Sequence, residues 1–219
     1  NFEMSPDGRV MVVCGRYGNI HVLTARTREH IGTLKMNGEV TSVTFNADGS
    51  RMYSHGDSGE VYIWDMQARA CVHRFLDDGC IVGSSLAFSP NSQFLACGSR
   101  SGVVNVYDAR SLATSNAPIP LKILLNLTTP VHFPSMTVFN NFPSAQTNLF
   151  RPQCLDFSIN SGYFTLGNGK GAALLFRSDD SVTRQHELCT SGYHLSGGEG
   201  WFTGHVWKNG QWWPVVAGS

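Results

Sequence analysis

The 219-residue sequence predicts an all-β fold assembled from a repeated four-stranded unit, and three observations carry that prediction. The segments Met4-Ser5-Pro6-Asp7-Gly8, Phe45-Asn46-Ala47-Asp48-Gly49, Phe88-Ser89-Pro90-Asn91-Ser92 and Phe157-Ser158-Ile159-Asn160-Ser161 align with one another, and a glycine follows each Ser or Asn by 13 residues. These glycines are Gly18, Gly59, Gly102 and Gly171. An apolar run separates turn from glycine in every copy, and an alternating run follows the glycine, as half-buried strands require. A further strand-like segment recurs twice at one offset, with Leu34 and Phe75 each 16 residues after the hairpin glycine.

Taken in order, the first copy reads as a strand ending at Met4, a turn, Val10 to Cys14, a hairpin at Gly18, Ile20 to Leu23, and Glu29 to Leu34. The second runs through Met52 to Ser54, Gly59, Val61 to Trp64 and Ala70 to Phe75. The third keeps Phe94 to Cys97, Gly102 and Val103 to Tyr107, and the fourth keeps Tyr163 to Leu166, Gly171 and Ala173 to Phe176. Four strands joined by tight turns make a propeller blade. The hairpin glycines are spaced by 41 and then 43 residues, within the roughly 40 to 45 residues of WD40 repeats and short of the kelch spacing of about 50.

Val61-Tyr62-Ile63-Trp64-Asp65 resembles the strand-ending Trp-Asp signature of the WD40 family, and Tyr107-Asp108 is its relaxed form. The resemblance implies a buried hydrogen-bonded chain in which Ser54, Asp57 and Trp64 hold the family's positions. Its His partner is missing, because Lys35-Met36-Asn37-Gly38-Glu39-Val40 contains no Gly-His. The succession of Gly59 to Asp65, Cys97-Gly98-Ser99 with Gly102 to Tyr107, Thr137 to Pro143, and Asp156-Phe157-Ser158 with Ser161 to Asn168 resembles one branch, the U3 small nucleolar RNA-associated protein 18 family.

The interval from Gly102 to Gly171 is 69 residues, more than one blade and less than two. Residues 1–177 are therefore expected to form propeller blades, about four to five equivalents of an incomplete ring, with a damaged blade near 109–145 and a join near Pro130-Val131-His132. Internal deletion, as by exon skipping, is the expected origin; one long inter-blade loop is the alternative. Residues 178–219 read as a divergent Gly/Trp-rich tail in which Asn209-Gly210 could turn a small hairpin, or which is unselected, disordered sequence. Because the first residue is Asn1, the chain is expected to be a fragment.

Composition excludes several functions. The 16 basic residues balance 16 acidic ones, and charged residues are 15% of the chain against about 25% in ordinary domains, which disfavours salt-driven nucleic-acid binding. No apolar run reaches the roughly 18 residues of a membrane span, and no secretory leader is visible. Six cysteines without close pairing, Cys14, Cys71, Cys80, Cys97, Cys154 and Cys189, suggest reduced thiols and an intracellular compartment, which makes the acceptor pattern Asn126-Leu127-Thr128 silent. Gly167-Asn168-Gly169-Lys170-Gly171 lacks the helix and hydroxyl of a phosphate loop and reads as a hairpin. His186, Cys189 and His194 match no zinc spacing. His21, His55 and His73 are expected as ordinary surface or hydrogen-bonded histidines, and Asp77-Asp78 and Asp179-Asp180 as solvated turn residues. Arg100 and Arg110 flank one strand, where solvated rim arginines are expected over phosphate contacts.

No catalytic, cofactor-binding or metal-ligating residue is expected, and propellers act through sites grafted onto their rims. The family resemblance implies a non-enzymatic scaffold subunit of the small-subunit processome, nucleolar, bound to its protein subunits, with U3 snoRNA and pre-rRNA reached indirectly and no membrane or small-molecule substrate. A generic WD40 adaptor, such as a ubiquitin ligase substrate receptor, is the alternative. A propeller hydrolase would require carboxylates and histidines to converge on the central channel.

Overall fold

The computed structural model describes residues 1–112, 117–124, 152–167, 173–177, 201–208 and 211–218. Gly171, Asn126, most of the interval 109–145, and His186, Cys189 and His194 lie outside them. All regular structure among the described residues is strand.

The first blade is the antiparallel sheet β1 (Phe2–Met4), β2 (Val10–Cys14), β3 (Asn19–Thr24) and β4 (His30–Lys35), in chain order. The second is β5 (Val40–Phe45), β6 (Arg51–Gly56), β7 (Glu60–Asp65) and β8 (Ala70–Leu76). The third is β9 (Gly83–Phe88), β10 (Phe94–Ser99), β11 (Val104–Asp108) and β12 (Lys122–Leu124). A three-stranded sheet follows, β13 (Cys154–Phe157), β14 (Tyr163–Gly167) and β15 (Ala173–Arg177), and then the hairpin β16 (Trp201–Lys208) with β17 (Gln211–Gly218).

Strand β12 lies inside the interval assigned from sequence to a damaged blade, yet it completes the third blade by pairing Leu124 with Val104. The offset of 16 residues fails there because the connection before it, residues 109–121, is far longer than residues 66–69 of the second blade. In the tail, Lys208 pairs with Gln211 across the Asn-Gly position. Gly167 pairs with Ala173, which puts the phosphate-loop look-alike between two antiparallel strands.

Side-chain alternation distributes each blade between its two neighbours. On β6 and β7, Met52, Tyr62 and Trp64 pack with Val12, Ile20 and Val22 of the first blade. The alternate residues Tyr53, Val61 and Ile63 pack with Leu86, Leu95, Cys97 and Tyr107 of the third. The third blade's other face, with Ala96, Val104 and Val106, meets Leu155, Phe157, Phe164 and Leu166. Burial on both faces explains why these strands read as apolar runs. Each fully buried aliphatic side chain contributes about 1.5–3 kcal/mol.

The inner strands β1, β5, β9 and β13 line a cavity of about 710 Å³. Glu3 and Asp156 stand in its wall, and among the described residues no histidine does. Burial, and secondarily the charge of Asp156, raises the pKa of Glu3.

Candidate functional site

The second blade holds the tryptophan network in reduced form. Strand β7 turns Trp64 toward the first blade, where its indole N–H donates to Ser54 Oγ at 2.8 Å, and Ser54 in turn donates to Met36 Sδ at 3.4 Å. Met36 thus occupies the place left by the absent histidine. Asp57 stands apart: it is exposed, and its Oδ1 accepts the backbone N–H of Glu39 at 2.8 Å. Asp65 accepts the backbone N–H of Ala68 at 2.8 Å, closing the turn after β7. Gly18, Gly59 and Gly102 carry φ of +70°, +72° and +87° at the three hairpins.

The third blade contains a polar cluster that sequence reasoning missed. Tyr107, fully buried, donates through its hydroxyl to Asp77 Oδ1 at 2.6 Å, and Asn105 Nδ2 donates to the same oxygen at 2.7 Å and to the carbonyl of Asp78 at 2.7 Å. Asp77 is only 1% exposed, so the solvated-turn expectation is corrected for it, although Asp78 remains exposed. His55, likewise expected as an ordinary histidine, is completely buried, its ring lying against Gly83 where a Cβ would strike it. His55 Nε2 stands 3.5 Å from Asp77 Oδ2 and 3.4 Å from Cys80 Sγ.

Burial sets the electrostatics of this cluster. It lowers the pKa of His55 to about 4, raises that of Asp77 to about 6 against the opposing hydrogen bonds of Tyr107 and Asn105, and pushes the Cys80 thiol up to about 12. A catalytic triad needs the acid on one ring nitrogen and the nucleophile on the other. Here Asp77 and Cys80 both face Nε2, while Nδ1 has no hydrogen-bond partner among the described residues. The arrangement is a convergence of donors on one point, not a proton relay. The sequence did hold a signal for it: Asp77 follows Met36 by 41 residues, the repeat interval, and both reach inward from the connection between blades.

Other described residues singled out from sequence make local contacts. Asp108 accepts from the backbone, Nε and Nη2 of Arg110, which holds its carboxyl below the usual range. His21 Nδ1 lies 3.2 Å from the hydroxyl of Thr33. Among the described residues, Cys14, Cys71, Cys80, Cys97 and Cys154 form no disulfide.

Four-stranded blades in chain order around a central cavity, with a buried Trp-to-Ser bond, define a WD40-repeat protein. In agreement, residues 28–65 and 70–108 match the WD domain, G-beta repeat family, each match running from the fourth strand of one blade through three strands of the next. The chain is 42% identical over 203 residues to the U3 small nucleolar RNA-associated protein 18 homolog of Mus musculus and 40% identical over 204 residues to that of Homo sapiens. These matches cover 80% and 81% of the chain and 37% of each relative. A probable U3 small nucleolar RNA-associated protein 18 of Schizosaccharomyces pombe is 29% identical over 202 residues, covering 80% of the chain and 39% of that protein. The chain contains WD40 repeats and, over the matched four-fifths of its length, is similar to the U3 small nucleolar RNA-associated protein 18 proteins. It spans well under half the length of those relatives.

Proposed function

We propose that this chain is a non-enzymatic WD40 scaffold segment of the U3 ribonucleoprotein of the small-subunit processome, supporting pre-18S rRNA processing in the nucleolus. The observation that carries the reading is the 42% identity across 80% of the chain to a protein named for its association with U3 small nucleolar RNA. Zero formal net charge supports a chain that holds protein subunits, with U3 snoRNA and pre-rRNA reached through them.

The same alignment supports an internally deleted form. It spans 203 positions, yet 80% of 219 residues is about 175, so up to about 28 residues of the matched region of the mouse relative face gaps in this chain. That surplus has the sense expected from the short interval between Gly102 and Gly171.

The test is affinity capture of the tagged chain from nuclear extract with quantification of co-purifying RNA. Enrichment of U3 snoRNA over other small nucleolar RNAs, lost after protease treatment of the eluate, supports the reading. Recovery of a cullin-linked complex without U3 overturns it in favour of a ubiquitin ligase adaptor.

A further inference from the structure

Buried side chains that converge on one point and still leave buried polar atoms unmatched call for an explanation. Among the described residues Asp77 Oδ2 is buried with no hydrogen-bond partner, its nearest polar neighbour being His55 Nε2 at 3.5 Å, although Oδ1 of the same carboxylate accepts two short bonds. Among the described residues no lysine or arginine pairs with Asp77. An isolated buried carboxylate costs several kcal/mol unless something balances its charge. Three donors of different kinds, His55 Nε2, Asp77 Oδ2 and Cys80 Sγ, face that point and lie within 4.8 Å of one another.

We propose that His55, Asp77 and Cys80 form a zinc site that staples the connection between the second and third blades to strand β6. Tetrahedral zinc binds nitrogen and oxygen at about 2.1 Å and sulfur at about 2.3 Å, which places neighbouring ligand atoms about 3.4–3.6 Å apart. The separations of 3.5 Å between Nε2 and Oδ2 and 3.4 Å between Nε2 and Sγ fall on those edges. Both are measured from one ring nitrogen, as a shared metal requires. Imidazole, carboxylate and thiolate are zinc's usual ligands. A dipositive ion with a neutral imidazole, a carboxylate and a thiolate leaves a site of zero net charge, which removes the objection to burying Asp77. Binding releases the thiol proton to solvent. Half-buried Cys80 leaves the site a route to the rim, and solvent takes the fourth position.

Outer-shell support is already present for one ligand. Tyr107 and Asn105 hold Asp77 through Oδ1 and so aim Oδ2 at the other donors. Gly83 leaves the space that the His55 ring fills. Cys71, by contrast, is exposed and donates to the carbonyl of His73 at 3.3 Å.

The experiment uses the full chain carrying Cys189→Ser, which removes a thiol outside the described residues, stripped with chelator under reducing conditions and titrated with Co²⁺ and then Zn²⁺. One equivalent of Co²⁺ is expected to produce a near-ultraviolet thiolate-to-cobalt charge-transfer band that Zn²⁺ abolishes. Cys71→Ser should leave the band intact. Cys80→Ser should remove it and weaken Zn²⁺ binding at least about 100-fold, beyond the 10–100-fold usual for outer-shell changes. Zn²⁺ should raise the melting temperature of the parent but not of Cys80→Ser. Asp77→Asn should weaken Zn²⁺ binding while keeping a thiolate band. No saturable binding at one equivalent, or a charge-transfer band that survives Cys80→Ser, overturns the proposal.

Discussion

At the scale of single residues, the bond from Trp64 to Ser54 has a calculable consequence. Both partners are buried, and among the described residues Ser54 alone accepts the indole N–H, so Ser54→Ala leaves that donor in an apolar setting. The expected cost is about 1–3 kcal/mol, read as a lower urea midpoint with an unchanged slope. Asp57 lies outside this chain of bonds, and Asp57→Ala loses only an exposed bond to the Glu39 backbone. Combined, the two substitutions should add to within about 0.5 kcal/mol, because they share no partner. Coupling well beyond that would return Asp57 to the network. Glu3 supplies a pH-dependent prediction of known sign. Its pKa is raised in the folded state, first by burial and then by Asp156. In acid below the ordinary glutamate range, both states hold the proton and nothing is lost. As pH rises through the raised value, the folded state alone bears a poorly solvated charge, and its stability falls. Glu3→Gln should therefore melt with the parent in acid and above it at neutral pH, as scanning calorimetry at the two pH values would show.

At the scale of elements, glycines with positive φ stand at the turns of the described blades, and what surrounds them differs between positions. Gly18 has φ of +70°, and a Cβ there would stand within 2.4 Å of the Met36 carbonyl oxygen, in the connection leading to the next blade. Gly8 has φ of +68° and nothing within 4 Å of its Cβ position. Gly8→Ala should cost about 1 kcal/mol of left-handed strain, and Gly18→Ala about 3 kcal/mol or more, since main chain must also move. Equal losses in chemical denaturation would show that the close approach is unimportant. The strands flanking these hairpins were legible because a turn, an apolar run, a glycine and an alternating run recur at fixed distances. Strand β12 was not, because residues 109–121 displace it from the common offset and no local pattern marks three residues as a strand. The polar cluster was less legible still. Asp77-Asp78-Gly79 has the composition of a solvated turn, and only its place in the repeat, level with Met36, indicates that one aspartate turns inward. Composition reports the average environment of a turn, whereas burial there is decided by the neighbouring blade, which local sequence does not contain.

At the scale of the whole molecule, the blades are bistratal by necessity: each face of a middle blade is covered by a neighbour, so a blade at the end of the stack presents an uncovered face. The first blade does so. Its β2 and β3 residues Val12, Ile20 and Val22 face the second blade and are almost wholly buried, while the alternate residues face outward. Cross-strand pairing places Phe2 beside Val13 and Met4 beside Met11, with Leu23 next to Met11, on that outward face. Phe2, Met4 and Val13 are 64%, 48% and 37% exposed. In the second blade the matching positions are Met52, Tyr62 and Trp64, which are packed against the first blade. An apolar face of this kind, on a chain of zero net charge, favours self-association. The isolated chain should accordingly form large particles in light scattering at concentrations where ordinary domains are monomeric. Introducing Met4→Glu with Val13→Lys should raise the soluble, monomeric fraction severalfold while changing unfolding free energy by no more than about 0.5 kcal/mol, as expected of surface substitutions. Val12→Lys, one residue away but aimed into the interface between blades, should instead abolish folding, because it buries an unpaired charge. If the outward pair leaves aggregation unchanged, the face is not its cause. If the same pair improves solubility but lowers U3 snoRNA recovery in affinity capture, that face is covered by a neighbour in the assembled particle, as the interior faces of the other blades are covered here.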